Sequence, residues 1–235
     1  MKKIGILGGM TFESSVNYYY RINRQVNKKL GELICAEMIL YNMNFGPISN
    51  NMLQRNWEPI YNSLLDAAKK VEAAGADFLV IATNTMHRFY DKLQSNIGIP
   101  ILHIVDCVVK KCEEQKVQKV LLLGSIHTMK EDFLKKRLNS FGIEVVVPKE
   151  ISQLKEIDRV IMDELGFGKV IDSSHKYYLD VINQMVEEEG IQGVILGCTE
   201  IELLVKPGDV SIAVLDTTQA HVDGAVECIV GEWDI

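Results

Sequence analysis

Short apolar runs alternate along this chain with longer stretches of helical periodicity. Each run is rich in Val, Ile and Leu, and in the stretches between them apolar residues recur every three or four positions. Such alternation is typical of parallel sheets covered by helices, so the sequence predicts an α/β protein. Strands are predicted near residues 3–7, 34–42, 77–82, 98–104, 119–123, 143–147, 191–196 and 212–215. Helices are predicted near residues 13–30, 57–74, 86–94, 129–141, 155–165, 171–189 and 218–231.

One arrangement of strand ends occurs twice. A predicted strand reaches a glycine turn at Gly8, and a later strand ends in polar residues from Thr83 onward. The same order recurs at Gly124 and Cys198, with a spacing of 75 positions in the first case and 74 in the second. This agreement predicts two pseudo-symmetric, duplicated domains, each a mainly parallel sheet flanked by helices.

Two crossings divide the predicted domains, one near Pro100 and one near Pro207–Asp209. We therefore expect a first domain of residues 1–100 plus 211–235 and a second domain of residues 101–210. Open α/β sheets bind ligands at the carboxyl ends of their strands. If the two halves face each other, Thr83 and Cys198 flank one small molecule, which predicts an active site in the interdomain cleft.

Composition limits the kinds of partner. The 235 residues are 47% apolar, which is enough for a substantial core. A net charge of −7 without a basic cluster argues against nucleic acid or an anionic membrane as partner. No apolar run reaches membrane-spanning length, and the first one is too short for a signal peptide, so we expect a cytoplasmic protein.

Cysteine chemistry is predicted at one position. The cysteines are scattered without a CxxC pair or a metal-ligand spacing, so most are expected to be small buried apolar groups. Cys198 differs because it follows a buried strand and precedes Thr199 and Glu200. A helix N-terminus or hydrogen-bond donors can lower a thiol pKa, so a thiolate can be present at Cys198 near neutral pH. Glu200 is expected to orient the thiol or take its proton.

Asn84 and Thr85 offer an amide, a hydroxyl and backbone N–H groups at the start of a predicted helix. These groups suit a carboxylate, as does the region around Thr199. The alternative is that Asn84 and Thr85 only cap the helix. The two interpretations are compatible.

A set of motifs in fixed order resembles the cofactor-independent aspartate/glutamate racemases. The resemblance covers essentially the whole chain, and the set is specific although each motif alone is weak. It rests on Gly8–Ser15, Tyr18–Tyr19, Ile22–Asn23, Asn84–His87, Leu102–Asp106, Leu123–Ser125, Thr128–Met129, Gly197–Glu200 and Asp216–Thr218.

The resemblance implies a homodimeric two-domain racemase that uses neither pyridoxal phosphate nor metal. In that family two cysteines face the substrate α-carbon, one removing the proton and the other protonating the opposite face. Cys198 matches the second cysteine, whereas Thr83 occupies the first position. We therefore expect Cys198 to deprotonate an L-amino acid and Thr83, or water held by it, to return a proton, which favours L-to-D turnover kinetically. The expected substrate-binding residues are Met10, Asn84, Thr85, Ser125, Thr199 and Glu200.

Aspartate and glutamate are the expected substrates. The side-chain carboxylate needs a polar partner, and Met52 stands where related racemases tend to carry glutamine. Asn51 or Gln54 could substitute for it.

Three alternatives remain: an arylmalonate decarboxylase-like or other single-cysteine relative, a non-catalytic amino-acid-binding protein, and a redox protein. The last is weak because no partner cysteine lies near Cys198 in the sequence.

Overall fold

A computed structural model describes residues 1–31 and 33–235, and within them the chain forms eight strands and ten α-helices. The strands are β1 (Ile4–Gly8), β2 (Met38–Asn42), β3 (Phe78–Ile81), β4 (Ile101–Leu102), β5 (Lys119–Leu123), β6 (Glu144–Val146), β7 (Gly193–Leu196) and β8 (Ala213–Asp216). The helices are α1 (Phe12–Leu30), α2 (Phe45–Leu53), α3 (Trp57–Ala73), α4 (Tyr90–Gln94), α5 (Ile104–Gln115), α6 (Ile126–Lys130), α7 (Phe133–Ser140), α8 (Ile151–Asp163), α9 (Asp172–Glu189) and α10 (Thr217–Val230). Short 3₁₀ helices cover Thr85–Phe89, Leu165–Phe167 and Ile201–Leu203.

The strands form two parallel four-stranded sheets with one topology. The first sheet has the order β2-β1-β3-β4, and the second has the equivalent order β6-β5-β7-β8. Every strand pair in both sheets is parallel. The predicted fold class, an α/β protein with two duplicated sheets flanked by helices, is therefore confirmed.

The chain separates into two compact units. The first contains Met1–Ile104 and His221–Ile235, and the second contains Val105–Ala220. The sequence predicts that the chain returns to the first domain near residue 210, before the last strand. In the structure β8 pairs with β7, Gly193 opposite Ala213, so this strand completes the second sheet and the chain returns only within α10.

Burial explains why the central strands carry continuous apolar runs. All residues of β1, β3 and β7 are buried, because each strand has a hydrogen-bonded neighbour on both sides and apolar side chains on both faces. The edge strand β2 is partly exposed along its length. Among the buried clusters, the first core lies in the first unit around Leu64 and Leu79, and the second core lies in the second unit around Ile157 and Ile182.

Helix α1 shows how local sequence sets an element boundary. The Thr11 side chain accepts a hydrogen bond from the Ser14 N–H, and the helix ends where the Gly31 N–H donates to Asn27. Its buried face includes Tyr18, whereas Tyr19 is exposed. The acidic residue in the first turn and the basic residues in the last turn suit the helix dipole.

Two helices were not predicted. Helix α2 begins after Asn44, whose side chain accepts a hydrogen bond from the Gly46 N–H, but its nine residues carry little helical periodicity. Helix α5 starts at Ile104, immediately after the two-residue strand β4, so one apolar run changes from strand to helix. The single helix predicted over 129–141 is two helices, because Glu131 has an extended backbone between α6 and α7.

No helix in the described part of the chain combines the length and apolarity of a membrane span.

The turn after β1 supplies a stability prediction. Gly9 and Gly75 have nearly equal positive φ angles, +84° and +88°. A Cβ on Gly9 would lie 2.2 Å from the Met43 carbonyl oxygen, whereas a Cβ on Gly75 would meet nothing within 4 Å. We expect Gly75→Ala to lower the free energy of unfolding by about 1 kcal/mol, from backbone strain alone. Gly9→Ala should lower the free energy of unfolding by about 3 kcal/mol or more, because the backbone at Met43 must also move.

Urea unfolding of the two variants beside the unchanged protein measures this difference. Equal losses in both variants would show that the close approach to Met43 does not constrain the turn.

Candidate active site

The eight predicted site residues form two groups, one in each unit. Each group lies at the carboxyl edge of its sheet, in the loops that follow the central strands. The first unit carries Met10, Thr83, Asn84 and Thr85, and the second carries Ser125, Cys198, Thr199 and Glu200.

Thr83 and Cys198 occupy equivalent positions in the two sheets. In the first sheet Leu7 pairs with Ile81, and Thr83 follows two residues later. In the second sheet Leu123 pairs with Leu196, and Cys198 follows two residues later. The equivalence follows from strand register within each unit, and it accounts for the nearly equal spacing in the sequence.

The backbone around Thr83 is held by several hydrogen bonds. The Thr83 N–H donates to the Ile81 carbonyl at 2.8 Å. The preceding carbonyl, that of Ala82, accepts from the Ser14 hydroxyl at 3.0 Å. The Thr83 carbonyl lies 2.8 Å from Nδ1 of His87. The Thr83 side chain is partly exposed, so its hydroxyl stands on a fixed backbone at the edge of the sheet.

Asn84 does not act as a side-chain helix cap. It precedes the 3₁₀ helix Thr85–Phe89, but its side chain makes no capping hydrogen bond, and the residue is buried. Met10 is also buried, at 6% exposure, and packs in the first core. Asn84 therefore contributes amide polarity to this edge, and Met10 contributes apolar packing beneath it.

The serines of the first turn of α1 organise the loop after β1. The Ser15 hydroxyl accepts from the Gly9 N–H at 2.7 Å and donates to the Thr11 carbonyl at 3.0 Å. Beside this loop an open cavity of about 550 Å³ lies at the carboxyl ends of β1 and β2. It is lined by Gly9, Thr11, Phe12, Glu13, Asn42, Met43, Asn44 and Phe45. This cavity could not be predicted from the sequence, because its residues converge from separate loops.

In the second unit two glycines allow the strand ends to approach. The Gly197 N–H donates to the Leu123 carbonyl at 2.7 Å, and a Cβ on Gly197 would lie 2.8 Å from that oxygen. A Cβ on Gly124 would lie 2.9 Å from Cγ2 of Thr128. Because the strand ends lie so close together, the Ser125 backbone N–H donates a hydrogen bond to the Cys198 sulfur. The Ser125 side chain caps α6 by accepting from the Thr128 N–H.

The surroundings of Cys198 raise its pKa. Burial against the second core is the largest cause, the Glu200 carboxylate adds to it and Asp158 contributes less, while the Ser125 N–H acts in the opposite direction. The result is a pKa of about 12. Cys198 of the free protein therefore stays protonated near neutral pH, because apolar packing and carboxylates outweigh the Ser125 N–H donor.

Asp158 is a site residue that the sequence did not indicate. It belongs to α8, and its carboxylate accepts a hydrogen bond of 2.7 Å from the Ile126 N–H at the start of α6. Asp158 stands among other acidic residues on an amphipathic helix, so nothing local distinguishes it. The packing of α8 beside the carboxyl edge of the second sheet brings the Asp158 charge close enough to raise the pKa of Cys198.

Among the described residues, no three His, Cys, Asp or Glu side chains are grouped as a metal ion would require. Cys198 and the other described cysteines are free thiols.

Comparison with known proteins identifies the family. The family model described as Asp/Glu/hydantoin racemase matches residues 7–225. The crystal structure of a candidate Asp/Glu racemase from Yersinia pestis has a TM-score of 0.93 and 38% identity, covering 98% of this chain and 100% of that one. That of an aspartate racemase homologue from Pyrococcus horikoshii OT3 has a TM-score of 0.87 and 38% identity, with the same coverage. The broad specificity amino-acid racemase RacX of Bacillus subtilis (strain 168) is 23% identical over 92% of each chain.

The chain belongs to the Asp/Glu/hydantoin racemase family, and it is therefore an enzyme of the isomerase class.

The raised pKa of Cys198 predicts a slow, strongly pH-dependent reaction with iodoacetamide. Because the thiolate is the reacting species, its alkylation rate should rise about tenfold per pH unit between about pH 7 and about pH 9, without a plateau. Glu200→Gln should speed alkylation about two- to fivefold at fixed pH, since it removes a nearby negative charge. Peptide mass spectrometry measures the rate at Cys198 alone.

Glu202→Gln is the matched control because it removes the same charge two residues away, and Glu202 does not contribute to the shift at Cys198. A plateau below about pH 9, or equal acceleration by both variants, would contradict the assignment of the raised pKa to burial and Glu200.

Proposed function

We propose that this enzyme is a cofactor-independent amino-acid racemase acting on L-aspartate or L-glutamate. Cys198 removes the α-proton, and the Thr83 hydroxyl, or a water molecule held by it, protonates the opposite face. The observation that carries the proposal is the equivalent position of Thr83 and Cys198 at the ends of β3 and β7. A duplicated fold thus presents one proton-transferring side chain from each unit.

The high pKa of Cys198 suits the base in this reaction. The α-proton of an amino acid is weakly acidic, and a thiolate is a stronger base when its conjugate acid has a higher pKa. In the free protein the same shift keeps the sulfur protonated near neutral pH. We propose that the α-ammonium group of the substrate offsets the carboxylates of Glu200 and Asp158, which favours thiolate formation when substrate is bound.

Each proton transfer is balanced. The Cys198 thiolate takes the α-proton and becomes a thiol, leaving a carbanion at the α-carbon. A proton from the Thr83 side forms the new C–H bond on the opposite face. The donor then regains a proton from water, and the Cys198 thiol releases its proton to water, which restores the thiolate. A threonine hydroxyl gives a proton to a strong carbanion base but is itself a poor base toward a C–H bond. Turnover from the L enantiomer is therefore faster, while the equilibrium between enantiomers is unchanged.

The remaining predicted residues take binding roles in this proposal. Asn84, Thr85 and Thr199 offer hydrogen bonds to the substrate carboxylate, and Glu200 offers a charge partner for its ammonium group. Ser125 holds the Cys198 sulfur through its N–H, and Met10 supplies apolar contact. Met10, Asn84 and Thr85 lie at the strand edge of the first unit, and Ser125, Thr199 and Glu200 lie at that of the second.

The proposed preference for an amino acid with an acidic side chain rests on the similarity to relatives. It does not rest on an assigned partner for the side-chain carboxylate of the substrate. Met52 packs against the first core and offers no hydrogen bond to an acidic substrate. Asn51, one of its two expected substitutes, donates to the Pro47 carbonyl at 2.8 Å and accepts from Asn56 at 3.1 Å, so its amide is held in place by two hydrogen bonds within the chain. Aspartate is the first choice because one relative is an aspartate racemase homologue. The RacX relative is named for broad specificity, so other amino acids belong in the assay.

Homodimer formation stays a prediction. Helix α1 exposes Phe12, Val16, Tyr19 and Tyr20 on one face, and an oligomer contact would cover such a surface.

The central prediction concerns Cys198→Ala. Incubation of L-aspartate or L-glutamate in D₂O without added cofactor should replace the α-proton with deuterium and yield the D enantiomer. Loss of the base should slow this exchange by about 10²- to 10⁴-fold. Proton NMR measures the exchange, and chiral chromatography measures the product.

Cys35→Ala is the matched control, since Cys35 is an exposed free thiol outside the site. Full activity in Cys198→Ala would refute the assignment. Exchange without inversion would favour a single-cysteine relative, whereas binding without exchange would favour the amino-acid-binding protein.

A second prediction concerns the direction of turnover. Thr83→Cys should raise the initial rate from the D enantiomer by at least about tenfold, because a thiol ionises far more readily than a hydroxyl. Thr83→Ser keeps a hydroxyl and should preserve the ratio of rates from the two enantiomers. Initial rates from pure L and pure D substrate measure that ratio. An unchanged D-side rate in folded Thr83→Cys would count against the pairing of Thr83 with Cys198.

A further inference from the structure

The first unit contains a buried cluster of histidines beside the strand end that carries Thr83. His87 and His103 are each 3% exposed, and His221 is fully buried. The ring centroids of His87 and His103 lie 4.6 Å apart, and those of His87 and His221 lie 5.5 Å apart. Three imidazoles in one buried cluster require defined hydrogen bonds, because buried polar groups without partners are costly.

The contacts of His87 define its protonation. Its Nε2 accepts a hydrogen bond from the Ile104 backbone N–H at 3.2 Å, so Nε2 carries no proton. Its Nδ1 lies 2.8 Å from the Thr83 carbonyl oxygen, which only accepts, so Nδ1 carries the proton and donates. His87 is therefore a neutral imidazole with its proton on Nδ1, and it joins the Thr83 carbonyl to Ile104.

His221 has the opposite tautomer. Its Nε2 donates to the Leu102 carbonyl at 3.0 Å, and its Nδ1 accepts from the Tyr18 hydroxyl at 2.8 Å. Burial lowers the pKa of His221 to about 3, with a further contribution from His87, so this ring stays neutral. The segment from Leu102 to Ile104 is consequently held by two histidines, one bonded at each end.

The same bonds constrain the two peptide groups that flank Thr83. The Ala82 carbonyl is held by Ser14, and the Thr83 carbonyl is held by His87. These two carbonyls set the backbone dihedrals of Thr83, from which its hydroxyl projects. The His87 bond lies on the side of the chain that leads to Asn84 and Thr85. Loss of that bond would allow the Thr83 peptide group to rotate and the hydroxyl to lose its orientation.

We propose that His87 is a positioning residue for the protonation step, and that its Nδ1–H bond to the Thr83 carbonyl holds the Thr83 hydroxyl in the orientation from which it serves as proton donor. This inference rests on the proposed function, because it assigns a role to the Thr83 side of the reaction. His87 itself does not exchange protons with the substrate. Its effect falls on the return of the proton and not on proton abstraction by Cys198.

Two variants of His87 separate its two hydrogen bonds. His87→Asn places an amide N–H near the position of Nδ1 and keeps the donor to Thr83, whereas His87→Gln places its amide near Nε2 and keeps only the contact to Ile104. The quantity to measure is the ratio of D product formed to deuterium incorporated into recovered L substrate, early in the reaction in D₂O. This ratio does not depend on the fraction of enzyme that is folded.

The expected results differ between the variants. His87→Asn should keep the ratio within about twofold of the unchanged enzyme, and His87→Gln should lower it at least about fivefold, because a misplaced donor lets the carbanion return to L more often. His221→Gln is the matched control, since His221 lies in the same cluster without contact to Thr83, and its ratio should not change. Equal ratios in the Asn and Gln variants would overturn the role of His87.

The tautomer is tested without substrate. Long-range ¹H–¹⁵N NMR of the histidine rings should show His87 protonated on Nδ1 and His221 protonated on Nε2. Protonation of His87 on Nε2 would overturn the proposal, since that ring could not donate to Thr83. Absence of any exchange in the unchanged enzyme would overturn the proposed function together with this role, whereas normal racemisation with equal variant ratios overturns the role alone.

Discussion

Parallel pairing of the central strands is the constraint on which the group of candidate residues in each unit depends. In each sheet the first strand of the chain, β1 or β5, is hydrogen-bonded on both sides. Its pairing with β3 or β7 fixes the register, and therefore the position at which that partner strand ends. That register puts Thr83 and Cys198 at equivalent places. Glycines at the turns remove the side chains that would hold the strand ends apart, as the close contact of Gly197 with the Leu123 carbonyl illustrates. The reactive side chains then project from backbone that cannot easily shift.

The electrostatics of Cys198 show a compromise between reactivity and availability. Apolar packing and two carboxylates raise its pKa to about 12, which makes the thiolate a strong base and also makes it scarce. A cysteine with a lowered pKa would be ionised more often but would abstract a carbon-bound proton less readily. In the proposed mechanism the ammonium group of the substrate resolves the compromise, because it offsets the nearby carboxylates when the substrate is bound. In that mechanism Glu200 serves both substrate binding and the basicity of Cys198, and Asp158 adds to the basicity.

Elements with strong local signals were predicted well, and those decided by packing were not. All eight predicted strands are present, because buried parallel strands require the apolar runs that the sequence displays. Helix α5 was missed since Ile104 continues an apolar run that serves as a strand only at Ile101–Leu102. The second unit extends to Ala220 because β8 pairs with β7 and so belongs to the second sheet. This pairing is a matter of packing, and no feature of the preceding turn indicates it.

For the site, the sequence by itself determined the repeated strand ends, the polar residues that follow them and the presence of a single cysteine at a reactive position. These are local properties of spacing and residue type. The tertiary structure alone decided the pKa direction at Cys198, the influence of Asp158 and the bond from His87 to Thr83. Each of these depends on distances between residues far apart in the chain. Electrostatic and hydrogen-bond energies follow such distances, which only folding defines.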